Sequence, residues 1–222
     1  MLKLYIGNKN YSSWSLRGWL ACRQSGLGFE EILVPLFDES WETRRTAPEY
    51  APSSGKVPIL WDGTTPIWHS MAIIEYLDEI TGRSKFWPQD PEARAFARSM
   101  AMEMQSGFMA LRSNHSMNIR ARGKTQFPLP EVIADIDRIM NLWSNARARF
   151  GGSGAFLFGE FGAADIMFAP VVTRFWTYSL PVARFAEPYM QAVTSHPFMQ
   201  DWIAASREEE WVIERLEKAQ QD

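Results

Sequence analysis

The sequence predicts an α/β domain of order βαβ–ββα over residues 1–82, followed by an all-helical domain over residues 90–222. Two observations carry this. In the first eighty residues, short apolar runs with strand alternation are interleaved with helical patterns. Beyond about residue 90, apolar residues recur every three or four positions. A third observation, 46% hydrophobic and 22% charged residues in a chain of 222, supplies the core that one large or two modest domains need.

Leu2, Leu4 and Ile6 alternate with Lys3 and Tyr5, a strand that ends at Gly7. From Ser15 the pattern turns helical through Leu16, Trp19, Leu20 and Arg23, with Gly26 as its stop. The run "FEEILVPLF" reads as a second strand that Pro35 ends. Strand–helix–strand favours a parallel pair with a right-handed crossover. After a loop rich in Pro, Ser and charge, "VPILWDG" and "PIWH" read as two strands joined near Asp62-Gly63, a hairpin signal. A helix from Ser70 to about Thr81, with Ile73, Ile74 and Leu77 on its apolar face, completes the unit.

The stretch "GRSKFWPQDPEA" then reads as a linker. Asp90 is placed to cap a helix with Pro91 at its first position, where the missing N–H costs nothing. Phe96, Met100, Met104, Phe108 and Leu111 predict one long amphipathic helix; Ile133, Ile136, Met140, Trp143 and Phe150 predict the next. "ADIMFAPVVTRFW" is apolar nearly all round and reads as a buried helix. A last helix runs from about Pro197 to the charged C-terminal tail.

The net charge of −3 comes without the basic stripe of a nucleic-acid binder. No run reaches the roughly eighteen apolar residues of a membrane span. Cys22 is the single cysteine, so no intrachain disulfide forms. With no apolar h-region in the first ten residues, the expected location is a reducing cytoplasm. His69, His115 and His196 are scattered without ligand spacing, so no metal site is expected. Ten tryptophans and fourteen phenylalanines imply a large buried aromatic area, in a core, a cleft or an interface.

Four segments together resemble the cytosolic glutathione transferase family. "SSWSLR" is similar to the serine motif Ser-Ser-Cys-x-Trp-Arg of the zeta class, with Trp14 in place of its cysteine. "GKVPIL" resembles the family's Val-Pro loop, whose proline is cis. "HSMAIIEYLDE" resembles the Glu-Ser-x-Ala-Ile-x-x-Tyr-Leu segment, and "GEFGAADIMFAP" resembles the Gly-x-x-Ser/Thr-x-Ala-Asp box that opens the buried helix of the second domain. The resemblance covers nearly the whole chain. It implies a thioredoxin-like domain that binds glutathione and an all-helical domain that contributes the acceptor site. It also implies a homodimeric, detoxifying transferase that uses glutathione as co-substrate against a hydrophobic electrophile. Two alternatives stand beside it: a zeta-like glutathione-dependent cis–trans isomerase of the maleylacetoacetate type, and a non-catalytic glutathione-transferase-like binding protein.

The chemistry such a site needs is modest. A free thiol has a pKa of about 8.5, and lowering it by about two units takes roughly 2.7 kcal/mol. One hydroxyl bonded to the anion supplies about 1.5–3 kcal/mol, and a helix N-terminus adds about 0.3–2 kcal/mol. By offset from Arg17, the family's catalytic serine falls on Ser12, with Ser13 beside it; Ser15 is expected to be a plain cap. The resemblance assigns Val57 and Pro58 to the cysteinyl backbone and Ser70 to the γ-glutamyl carboxylate. Lys56, with Arg44 or Arg45, is placed to meet the glycyl carboxylate. His69 stands where the family has an acid; an imidazole donates to a carboxylate but does not pair with an ammonium. Tyr11, Phe108, Arg112 and His115 are the acceptor-site candidates. Gly162 replaces the usual Ser or Thr, and Asp165 is read as structural. A thiol–disulfide oxidoreductase needs a cysteine at the start of the first helix, whereas Cys22 lies inside it.

Overall fold

The N-terminal alternating run folds as β1 (Leu2–Gly7), with Leu2, Leu4 and Ile6 buried. The structure, a computed structural model, describes residues 1–123 and 127–218. β1 pairs in parallel with β2 (Phe29–Val34) and antiparallel with β3 (Ile59–Asp62). β3 in turn pairs antiparallel with β4 (Thr65–Trp68), so the sheet order is β2-β1-β3-β4. The helix between β1 and β2, α1 (Ser13–Ser25), stops where Gly26 turns left-handed at φ 72° and its N–H reaches the Arg23 carbonyl. Gly18 is needed on its face: a Cβ there would sit 2.8 Å from the Pro58 ring.

The loop before β3 carries a short helix, α2 (Trp41–Arg44), and a 3-10 turn at Ala51–Ser53 that no local pattern signals. Trp41 and Tyr50 join Val34 and Ile59 in a small apolar cluster. Ile59 and Leu60 point to opposite sheet faces, so this cluster lies across the sheet from the main core, which holds Leu60. On the main-core side, α1 packs against α3 (Ser70–Ile80).

The helical half comprises α4 (Pro91–Ser106), α5 (Met109–Asn114), α6 (Pro130–Phe150), α7 (Ala163–Tyr178), α8 (Glu187–Ser195), α9 (Pro197–Glu208) and α10 (Glu214–Lys218). Asp90 caps α4 by accepting the Ala93 amide at 2.8 Å, as its position before Pro91 predicts. α7 is buried on nearly every side and packs against α1 and α4, joining the two halves in one apolar core. Asp165 accepts the Gly162 amide at 2.9 Å and the Leu157 amide at 3.1 Å, holding the start of α7 without a side chain at Gly162.

Three expectations are corrected. The single long helix through Leu111 is two helices, because Gly107 ends α4 and Phe108 takes a left-handed φ of 57° before α5. The stretch read as a linker is part of the core: Phe86 and Trp87 are buried, and the Phe86 carbonyl accepts the Ala163 amide at 2.8 Å. The helix from Pro197 is not the last: α9 ends at Glu208, and after a non-helical segment α10 follows. No helix among the described residues is long and apolar enough to cross a membrane.

Candidate functional site

The start of α1, the turn before β3, the ends of β4 and α4, and the C-terminal segment enclose a cavity of about 750 Å³. Tyr11, Ser12, Ser13 and Trp14 form one wall. Ser12 is the N-cap of α1: its backbone is extended (φ −86°, ψ 92°) and its Oγ accepts the Ser15 amide at 3.3 Å. The plain cap expected at Ser15 is therefore at Ser12. Ser15 lies inside the first turn and is fully buried, and its Oγ accepts the Gly7 amide at 2.9 Å. The Ser12 and Ser15 hydroxyls are 2.7 Å apart. Ser13 is the first residue of α1, and its hydroxyl has no hydrogen-bond partner among the described residues.

The Tyr11 hydroxyl faces the C-terminal segment. It bonds the Glu217 carboxylate, and Arg120 Nη2 reaches it at 3.1 Å. Burial raises the pKa of this phenol, and Glu217 adds to the rise. The same segment is tied down by Glu209, whose carboxylate accepts the amides of Lys9 (2.6 Å) and Asn10 (3.0 Å). Ile213 and Leu216 then line the cavity. This wall was not foreseen, although Ile213 and Leu216 are an i, i+3 apolar pair within the charged tail.

Opposite the serines, the Val57-Pro58 peptide is cis, and none of the described backbone hydrogen bonds involves Val57. Ser53, another lining residue not foreseen, holds the turn. Its Oγ accepts the Lys56 amide at 2.9 Å and donates to the Lys56 carbonyl at 2.5 Å. Lys56 and Arg45 line the cavity. Arg44 does not, because its guanidinium is engaged by Asp38 at 2.8 Å and the Pro35 carbonyl at 2.7 Å. His69 also lines the cavity and has a left-handed φ of 67°, an unfavourable conformation for a residue with a Cβ, costing about 1–3 kcal/mol.

Ser70 is not a lining residue. It is the first residue of α3, fully buried, and its hydroxyl donates to Gln105 Oε1 at 3.1 Å, toward the helical half. What α3 offers the cavity is its N-terminal end behind His69. Gln105 and Ser106 stand there too, at the C-terminal end of α4. They do not stand out in the sequence, because the apolar helical pattern runs on past them to Leu111.

Of the four acceptor-site candidates, Tyr11 alone lines the cavity among the described residues. Phe108 is buried against Phe168, with ring centroids 6.5 Å apart. His115 is buried with its ring 4.9 Å from that of Tyr178, and desolvation followed by the Arg174 charge lowers its pKa. Arg112 lies behind the wall: its guanidinium is 4.9 Å from the Trp14 ring, and Arg17 covers the same ring at 4.8 Å. These three miss the cavity for one reason. The cavity meets α4 only at Gln105 and Ser106, and the chain breaks at Gly107 before all three. The apolar side of the cavity is instead Trp14, Leu36, Phe37, Trp41, Trp68, Ile213 and Leu216.

This geometry has counterparts in known proteins. The model of the glutathione S-transferase N-terminal domain matches residues 11–80, and that of the glutathione S-transferase C-terminal domain matches residues 120–205. Glutathione S-transferase U28 of Arabidopsis thaliana is 26% identical over 170 residues, covering 76% of this chain and 70% of that protein. The maleylacetoacetate isomerase of Rattus norvegicus is 31% identical over 111 residues, half of each chain. A Burkholderia glutathione transferase homologue solved with bound glutathione has a TM-score of 0.67 at 23% identity, over 94% of this chain and 99% of its own. A tau-class glutathione S-transferase from mango also has a TM-score of 0.67, at 20% identity, over 99% of this chain and 96% of its own. The two family models together span the α1 cavity wall, the cis Val57-Pro58 turn and the buried helix α7, and the chain belongs to the glutathione S-transferase family.

Proposed function

We propose that this chain is a serine-type glutathione transferase in which the Ser12 hydroxyl holds the glutathione thiolate for attack on a hydrophobic electrophile. The observation that carries the assignment is the Ser12–Ser15 pair. Buried hydroxyls are almost always bonded. In the structure Ser12 Oγ donates to Ser15 Oγ at 2.7 Å, and Ser15 Oγ also accepts the Gly7 amide. Hydroxyl hydrogens rotate to suit their partners. With a thiolate bound, the Ser12 hydrogen turns to it and the buried Ser15 hydroxyl donates to Ser12 Oγ in its place, so that Ser12 Oγ accepts from the Ser15 amide and hydroxyl. Capping and thiolate binding thus use different sides of one oxygen. Ser13, with its free hydroxyl, is the neighbouring donor.

In this reading residues 1–82 hold glutathione and residues 90–222 contribute the acceptor wall. Val57 offers its unpaired backbone groups to the cysteinyl backbone, Arg45 and Lys56 meet the glycyl carboxylate, and the N-terminal end of α3 at His69 and Ser70 meets the γ-glutamyl carboxylate. The protein is a cytoplasmic homodimer, which light scattering and cell fractionation test. The deciding experiment is a glutathione titration with the thiolate absorbance followed against pH. A bound thiol with the pKa of the free one, or no binding, sinks the proposal. A second reading, glutathione-dependent cis–trans isomerisation, is favoured by the adjacent Ser12 and Ser13 and by the similarity to the rat isomerase. Turnover of a maleylacetoacetate-like dienoic acid with glutathione regenerated, against conjugation of an aryl halide, separates the two.

A further inference from the structure

The described residues lining the cavity include two cations, Arg45 and Lys56, and no aspartate or glutamate. The positive character continues behind the wall. Arg17 and Arg112 cover the Trp14 ring, and Arg174 is close enough for its charge to weigh on Arg17. These guanidiniums meet carbonyls: Arg17 Nε donates to Met167 at 3.0 Å, with its buried Nη1 left unpartnered among the described residues, Arg112 donates to Gly107 at 3.1 Å, and Arg174 to His115 at 2.8 Å. No carboxylate pairs with any of the three among the described residues. Burial, then the neighbouring charge of Arg112, lowers Arg174 to about 10, which leaves it a cation at neutral pH. Of the carboxylates on flanking elements, Asp38 is engaged by Arg44 at 2.8 Å, Glu217 by Tyr11 and by Asn118 at 2.9 Å, and Glu42 by the lining Arg45 at 3.4 Å.

A glutathione-type ligand brings a thiolate and two carboxylates, and it also brings an α-ammonium. The anionic groups find hydroxyls, amides and cations. Among the described lining residues the ammonium finds no opposite charge, and lining charges that are positive disfavour a further cation. Resting on the function proposed above, we infer that this site selects its thiol by its anionic groups and does not read the ammonium. It therefore accepts γ-glutamyl-type peptidyl thiols whose amino group is acylated or absent. His69, at the mouth of α3, is the position that sets this preference.

The test is calorimetric titration of the full chain with glutathione and with N-acetylglutathione at neutral pH. The expected dissociation constants agree within about threefold. In His69→Glu, which places an acid at the cavity, glutathione should become favoured over the acylated thiol by about tenfold or more. If the native protein binds glutathione but binds the acylated thiol about tenfold more weakly or worse, a carboxylate reaches the ammonium and the inference is overturned while the transferase proposal stands. If neither thiol binds, the proposed function falls, and the inference with it. The native comparison needs no variant, so a misfolded His69→Glu protein does not remove the test.

Discussion

Ser12 Oγ lies 2.7 Å from Ser15 Oγ, and this contact ties the cavity wall to the end of β1 through the Gly7 amide. Ser12→Ala should remove one charge-assisted hydrogen bond from the thiolate, about 1.5–3 kcal/mol, raising the bound-thiol pKa by about 1–2 units. Ser15→Ala should raise it less, by freeing Ser12 to rotate. It should also destabilise the fold by about 1–3 kcal/mol, because the Gly7 amide is orphaned. Thiolate absorbance and denaturant midpoints read the two effects separately. If Ser13→Ala shifts the pKa and Ser12→Ala does not, the thiol ligand is Ser13.

Tyr11 is bound to Glu217 and Arg120, so its hydroxyl fastens the C-terminal segment. Tyr11→Phe should leave the bound-thiol pKa where it is and speed proteolytic cleavage between Glu208 and Glu214. A large pKa rise in this variant would make the tyrosine the thiol ligand.

Arg45 and Lys56 are cations at the cavity rim. Rim charges are each worth about 0.5–1 kcal/mol, so replacing either with Ala should raise KM for glutathione about two- to fivefold with kcat unchanged. The increase should shrink in high salt. A fall in kcat at constant KM would contradict a purely binding role.

Burial raises the Asp165 carboxyl to about 6, against the pull of the Leu157 and Gly162 amides. The folded pKa lies above the ordinary value of 3.8, so the folded chain holds this proton more tightly. The associated stability is complete below about pH 4 and is lost as pH rises through about 6. Asp165→Asn should flatten stability between those limits in denaturation curves. Asp165→Ala should cost about 2–4 kcal/mol at all pH values, because two amides lose their acceptor.

Cys22 is fully buried, and desolvation pushes its thiol well above the ordinary range. Alkylation of the native protein should therefore proceed only at the rate of unfolding. Rapid labelling would show that α1 opens.

The strands, their parallel and antiparallel pairing, α1, α3 and the buried α7 were legible in the sequence, because each follows from local periodicity and from signals such as Gly26, Pro35, Asp62-Gly63 and Asp90-Pro91. The "SSWSLR" segment marked the cavity wall, since a hydroxyl cluster at a strand–helix junction is a local feature. Where a side chain points is not local. Phe108, Arg112 and His115 fall on an apolar helical pattern that Gly107 interrupts; Phe108 and His115 are buried, and Arg112 lies against the Trp14 ring. Ser70 lies at a helix start, but the packing of α4 turned its hydroxyl to Gln105. Ile213 and Leu216 reach the cavity because Glu209 finds two amides some two hundred residues away along the chain. Sequence determined which elements form and that a hydroxyl-rich helix start follows β1. Tertiary packing decided which hydroxyls are joined and which charges surround them, because those depend on partners that no local pattern brings together.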